Sequence, residues 1–261
     1  MEGIWRKMNL SIDEERFNFG TDVYRKTYDS RERKYRFFMN HEEMNVYQWN
    51  RAVNRYQPMV HKATHPNRIV RWIERHRWSV TRRLVAVNGS KFVMDIGCES
   101  GKIASVFASS CDHLVLLDVD QELLSSIRPK VRGGSVTCVA ADIYQIPFAD
   151  NSIDRVMCTE VLEHLTDPKK AVLEIERILR PGGRAVVSVP NDQLILWVKK
   201  KLMHVGLGRL LGSLSQGLAM GHLHVFDKGS LVPLFDRRLK AIRCFYNFPW
   251  FTNIFLVAEK R

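Results

Sequence analysis

The spacing of apolar positions changes near residue 90. Before that point, apolar residues recur every three to four positions. Tyr35, Phe38, Met39 and Val46, with Glu42 among them, predict a helix from Ser30 to about Asn54. Pro58 and Pro66 interrupt the pattern. A second helix is expected from Asn67 to Val87, with Ile69, Trp72, Ile73, His76, Val80, Leu84 and Val87 on one face and arginines opposite. Asn88-Gly89 supplies its stop. Residues 1–30 show little periodicity, and a segment in part disordered or draped over the domain is expected there.

From Lys91 onward, short apolar runs alternate with helical stretches. Lys91 to Ile96 reads as a buried strand and Lys102 to Ser110 as a helix start. Leu114 to Leu117 runs into Asp118, Ala141-Asp142 marks the end of a third strand, and Asp154 opens a fourth. Asp167-Pro168 is an N-cap with proline in the first turn. It begins a helix whose buried stripe is Ala171, Val172, Ile175, Ile178 and Leu179, stopped by Pro181-Gly182-Gly183. A fifth strand runs to Val189. An insertion follows, Asp192 to Gly221. In it Ile195, Val198, Leu202 and Val205 share a face beside Lys199, Lys200 and Lys201, and Leu207, Leu210, Leu211, Leu214 and Leu218 lie among glycines. A helix from Lys228 to Arg238 and strands near Ala241–Phe245 and Asn253–Glu259 complete the pattern. The alternation predicts an α/β fold, a mostly parallel sheet with helices on both faces. The expected organisation is a helical extension over 1–90 that caps one side of the active site. A cofactor-binding domain over 91–261 follows, with a lid-like insertion at 192–221.

Charge alters this picture most in the N-terminal part. The net charge is +12, and residues 1–90 carry 18 Lys and Arg against 10 Asp and Glu, a net of +8. Such a surplus suits a solvated basic helical face, an anionic membrane or nucleic acid. The five cysteines are scattered and odd in number. That argues for a reducing compartment and against a disulfide scaffold. Met1 to Ile12 lacks a signal-peptide core and no apolar run is long enough to span a bilayer, so a cytoplasmic location, with contact to a membrane surface, is expected.

The chemistry gathers around Asp95-Ile96-Gly97-Cys98-Glu99-Ser100-Gly101. A strand ending in an acidic residue, then a glycine-punctuated turn into a helix, lets backbone N–H groups approach a nucleotide cofactor. Acidic residues recur in order. Asp118 follows Gly97 by 21 residues, where a carboxylate can accept from both ribose hydroxyls. This set resembles the class I S-adenosylmethionine-dependent methyltransferases. Asp95 to Gly101 is similar to their motif I, Leu114 to Asp118 to their second strand, and Ala141-Asp142-Ile143 and Pro147 to Asp154 to their third and fourth. Arg180 to Gly183, followed by Ala185 to Pro190, is similar to their turn into strand five. The middle glycine usual in motif I is Glu99 here. The resemblance implies a Rossmann-like seven-stranded sheet with an antiparallel seventh strand. It implies S-adenosylmethionine bound through Asp95, Gly97, Cys98, Gly101, Asp118, Asp142 and Ile143. Asp142 would take the adenine amine, and Asp95 would order the turn or meet the amino group of the methionine moiety. Asp154, at a strand start, reads as structural.

Glu160, Glu163 and His164 form a Glu-x-x-Glu-His run, and His222 and His224 belong to a later His-x-His-x-Phe segment. Glu160, His164 and His224 are the candidate catalytic residues, with His222 a further candidate base. The arrangement resembles two metal-assisted families, the O-methyltransferases of ubiquinone synthesis and the small-RNA 2′-O-methyltransferases. That likeness implies a divalent ion on Glu160, Glu163, His164 and His224. The same run is also widespread where it only packs a helix start. Trp5, Trp49, Trp72 and Trp78 can stack on an aromatic acceptor or serve as packing. The apolar, lysine-flanked insertion favours transfer to a hydroxyl or amine of a small, apolar, lipid-like acceptor. An RNA acceptor and a non-catalytic cofactor-binding scaffold are the alternatives.

Overall fold

In the computed structural model, residues 14–19, 22–29, 34–40, 42–44, 48, 68–87, 89–99, 101–204, 222–235 and 237–261 are described. Trp5, Trp49, Pro58, Pro66, Val46, Val205 and the leucines from Leu207 to Leu218 lie outside them.

The N-terminal region corrects one expectation. Where a helix was expected from Ser30, four antiparallel strands follow one another: β1 (Glu14–Phe19), β2 (Asp22–Asp29), β3 (Lys34–Met39) and β4 (Glu42–Met44). Tyr35 stands opposite Tyr28 and Phe37 opposite Met44. Tyr35, Phe37 and Met39 also alternate with Arg36 and Phe38, a period of two. Aromatic residues favour a pleated surface. Pairing with the neighbouring strands β2 and β4 decides between the two periods, and the spacing within β3 alone does not contain it. The helical part of this region is α1 (Arg68–Val85), within the expected bounds.

Beyond α1 the chain builds a seven-stranded sheet in the order β10-β11-β9-β8-β5-β6-β7. Its central strands are β5 (Phe92–Ile96), β6 (His113–Asp118), β7 (Ser135–Ala140), β8 (Ile153–Thr159) and β9 (Leu179–Pro190), with parallel pairing throughout. β10 (Leu239–Tyr246) and β11 (Asn253–Lys260) close one side, and β11 runs antiparallel to both β10 and β9. The order reverses between β5 and β8, which opens a crevice at the carboxyl ends of the strands.

Two apolar layers cover the sheet. On one face α4 (Pro168–Ile178) buries Ala171, Val172, Ile175 and Ile178 against Met94, Val156 and Val187. On the other, Val80 and Val85 of α1, Ala104 of α2 (Lys102–Ser105) and Leu124 and Ile127 of α3 (Gln121–Ile127) pack with Val93, Leu116 and Phe255. Asp167 caps α4 as its sequence predicts, accepting from the Lys170 N–H at 3.0 Å. Asp154 accepts from the N–H groups of Lys91 and Phe92 and pairs with Arg180, so it joins the start of β5 to that of β8.

Two boundaries shift. The helix expected over Lys228–Arg238 is α6 (Lys228–Leu231), followed by a 3-10 turn at Val232–Leu234. Pro233 has no N–H to continue an α-helical ladder. α5 (Asp192–His204) forms the start of the insertion. α1 is also rotated about its axis relative to the expected apolar face. Among its described side chains, Glu74, Arg77, Val80, Thr81 and Val85 are buried, while Trp72 is exposed. The Glu74–Arg77 pair at 2.8 Å and the Thr81 hydroxyl donating to the Arg77 carbonyl let polar groups occupy that face.

Candidate active site

The crevice is lined by the turn after β5. Gly97 takes φ +68, and its N–H donates to the Leu117 carbonyl at 2.8 Å. A Cβ at Gly97 would collide with Cγ2 of Val161, so the glycine lets this turn lie against the segment leaving β8. Glu99 adopts φ +44, keeping the left-handed turn although it stands where a glycine is usual. Gly101 closes the turn with its N–H on the Cys98 carbonyl at 2.8 Å. Cys98 is buried, and burial, followed by the charge of Asp95, raises its pKa far above the usual thiol range. It is a packing residue with no thiolate to offer.

Asp95, Asp118 and Asp142 stand at the carboxyl ends of the neighbouring parallel strands β5, β6 and β7. Asp95 is buried. Burial first, then the charges of Asp118 and Glu99, push its carboxyl up to about 7. Asp118 is also raised by burial, and N–H groups of Asp120, Glu99 and Val119 oppose that rise. Its Oδ1 accepts from the Asp120 N–H at 3.1 Å, which fixes the carboxylate at the crevice rim. Asp142 accepts from the Tyr144 N–H at 2.9 Å, with Ile143 buried beside it. Arg177 fastens the following loop, donating to the carbonyls of Ile146 and Phe148.

Across the crevice, a 3-10 turn at Leu162–His164 follows β8. Glu163, His164 and His222 each place one ligand atom within 4.8 Å of the others. The two imidazoles meet edge to face at 4.9 Å. His222 Nδ1 lies 2.7 Å from Asp192 Oδ2. A carboxylate accepts, so Nδ1 carries the proton and Nε2 is the atom with a lone pair. Main-chain N–H groups of Leu223 and His224 donate to the Glu163 carbonyl, which locks the histidine segment to the turn.

Glu160 and His224 lie outside this trio. Glu160 Oε1 accepts from the Ser188 hydroxyl at 3.1 Å and the Asn253 amide at 2.9 Å, with Arg77 Nη1 at 3.6 Å. Its backbone is left-handed at φ +58, a strain that persists because these partners over-determine it. His224 Nε2 donates to the Leu165 carbonyl at 2.9 Å, and burial lowers its pKa. Arg77, Asp192, Ser188 and Asn253 were not apparent from the sequence. Glu74 and Arg77 at i,i+3 offered one signal, but nothing local marks that pair as buried.

Residues 94–187 match a family described as a methyltransferase domain. A demethylmenaquinone methyltransferase of Clavibacter sepedonicus is 33% identical over 123 residues, covering 45% of this chain and 50% of that protein. An O-methyltransferase of Aspergillus nomiae is 32% identical over 120 residues, covering 44% and 53%. The chain spans about half the length of the curated relatives it matches. Among solved structures, the N-methyltransferase NodS of Bradyrhizobium japonicum with S-adenosyl-L-homocysteine shares the fold at a TM-score of 0.58 and 18% identity, covering 83% of this chain and 99% of that one. The magnesium protoporphyrin IX methyltransferase of Synechocystis does so at 0.60 and 16%, covering 82% and 97%. With its glycine turn, its ordered strand-end aspartates and these matches, the stretch 94–187 is a methyltransferase domain, similar over about half of their length to proteins described as S-adenosylmethionine-dependent methyltransferases.

Proposed function

We propose that the protein transfers the methyl group of S-adenosylmethionine to a hydroxyl or amine of a small, lipid-like acceptor. The observation that carries this reading is the arc of Asp95, Asp118 and Asp142 around the Gly97 turn. Asp118 would accept from the ribose hydroxyls and Asp142 from the adenine amine. Methyl transfer from a sulfonium is an in-line displacement, and alignment supplies much of its acceleration. The acceptor must also lose a proton. His222 Nε2, oriented by Asp192 on the opposite nitrogen, is the group that takes it.

The same trio fits a divalent ion. One carboxylate and two imidazoles suit Zn²⁺ or Fe²⁺, and the Asp192 contact is the outer partner that a ligating imidazole needs. Such an ion would supply Lewis-acid lowering of the acceptor's pKa. Glu163, His164 and His222 would hold it, and Asp192 would keep His222 Nε2 in place.

The lipid-like acceptor is supported by the relative named for demethylmenaquinone and by the surface beside the site. Among the described residues, no helix is long and apolar enough to cross a membrane. Phe248 is nonetheless 73% exposed, and Phe251 and Trp72 are also exposed. Trp250 meets Trp72 edge to face at 4.4 Å, and His76 Nε2 bonds the Phe248 carbonyl. Exposed Arg68, Arg75 and Arg82 lie on the Trp72 face of α1. Aromatics backed by arginines suit the surface of an anionic membrane carrying the acceptor. Transfer of labelled methyl groups into a cell extract, fractionated into lipid, RNA, protein and small molecules, tests the reading. Label in the lipid fraction is expected, and label confined to RNA overturns it.

A further inference from the structure

Glu99 stands in the turn after β5 where a glycine is usual, and it brings a carboxylate to that place. The backbone keeps the left-handed conformation, φ +44, that a glycine adopts without strain. Its neighbours fasten it. Gly97 and Cys98 donate to the Leu117 carbonyl at 2.8 and 3.4 Å, and the Glu99 N–H donates to the Asp118 carboxylate. The turn therefore holds Glu99 at the carboxyl ends of β5 and β6. Its side chain is exposed and, among the described residues, has no hydrogen bond or ion pair. Its charge is felt at Asp95, after burial and the Asp118 charge, and at Arg77 of α1, after burial and the charges of Glu160 and Glu74. The carboxylate thus lies at the crevice, within electrostatic reach of both.

Charge at this end of the crevice is negative. Asp95, Glu99 and Asp118 surround the turn, and the nearby Arg77 is already engaged by Glu74 at 2.8 Å, with Glu160 at 3.6 Å. The methyl donor carries one positive charge more than the thioether left after transfer, because the sulfonium becomes a neutral sulfur. We infer that Glu99 is a specificity-determining residue, holding the sulfonium form of the cofactor in preference to the spent thioether. Of the three acids, Asp95 is buried and Asp118 half-buried, while Glu99 is exposed at the rim. A glycine there would let a ligand approach the backbone but would add no charge to tell one form from the other. The sulfonium charge fades in the transition state, so a carboxylate that favours it does not speed methyl transfer. Its benefit falls on the exchange of product for fresh donor.

The inference rests on the cofactor reading above, and its test separates the two. Calorimetry on the full chain compares S-adenosylmethionine, S-adenosylhomocysteine and sinefungin, in which a carbon bearing an ammonium replaces the methylsulfonium. Glu99→Gln keeps the size of the side chain, and Glu99→Gly restores the residue that the turn accepts without strain. Relative to S-adenosylhomocysteine, both variants should bind the two cationic ligands about 3- to 10-fold more weakly, the scale for one charge pair about 4 Å apart at a solvated rim. S-adenosylhomocysteine itself should change less than about twofold in Glu99→Gln. The wild-type preference should also shrink as salt is raised, since an exposed charge is screened. A merely destabilised turn would weaken all three ligands together and would not distinguish them by charge. An unchanged preference, whether the three ligands weaken by one factor or not at all, overturns the inference and leaves the cofactor reading intact. Absence of binding of any adenosyl ligand by wild type overturns the cofactor reading itself, and this inference with it.

Discussion

Removing the charge at Asp95 should both stabilise the free protein and weaken its hold on the cofactor. Asp95 is 2% exposed, and burial with the neighbouring Asp118 and Glu99 charges lifts its carboxyl from 3.8 to about 7. In the unfolded chain the group ionises near 4, so between about pH 4 and 7 the folded state holds a proton that the unfolded state has lost. Stability then falls as pH rises through this window and levels off above 7. A shift of about three pH units corresponds to an order of 4 kcal/mol at full ionisation. Asp95→Asn cannot ionise, so its urea-derived stability should lack the fall, exceeding wild type by about 4 kcal/mol at pH 8, by about 1–2 kcal/mol at pH 5 and by little below about pH 4. A cationic cofactor favours the ionised carboxylate. Its binding to wild type should therefore release a fraction of a proton near pH 7 and tighten as pH rises from 6 to 8. Calorimetry in two buffers of different ionisation heat reads that proton directly. If wild type and Asp95→Asn have parallel pH-stability curves, and wild-type binding releases no proton, the buried-acid argument is wrong.

Glu99 holds a left-handed backbone at φ +44. Glu99→Gly should relieve about 1–2 kcal/mol of strain against about 0.5–1 kcal/mol of added chain entropy. The melting temperature should rise by about 1–3 °C, with a matching fall in the Asp95 carboxyl pKa because the Glu99 charge is gone. Asp192→Asn should leave the fold intact but free the His222 ring. Activity should drop about 10- to 100-fold, and if an ion is held, chelator sensitivity should increase, read by metal titration. Phe248→Ser combined with Phe251→Ser should cut co-sedimentation with anionic vesicles about tenfold while leaving S-adenosylhomocysteine affinity unchanged. Unaltered sedimentation would remove the membrane from the account.

The glycine-turn half of the candidate site was legible because its residues are local. Asp95, Asp118 and Asp142 each end an apolar run, so strand and functional group are read from the same few residues. The histidine half was less legible. His222 and His224 are two residues apart in an irregular segment. Only the Asp192 carboxylate, placed by α5, distinguishes the imidazole that faces His164 from the one that donates to the Leu165 carbonyl. Arg77 read as one of several exposed arginines because its burial depends on Glu160, beyond β8. The strands over residues 14–44 were misread for a related reason. Cross-strand register, not local periodicity, selects β there.

The place of β11 ties the edge of the sheet to the site. β10 precedes it in the chain yet reaches the sheet only through it, since β11 lies between β10 and β9. Until the last strand inserts, β9 is an open edge and β10 has no strand in the sheet to pair with. The β9–β11 pairing spans a long stretch of chain, and contacts of such separation slow folding. The same insertion delivers Asn253 to Glu160 and Lys260 to the carbonyl of Glu176. The strand that completes this edge of the sheet is therefore also the one that buttresses Glu160 from behind.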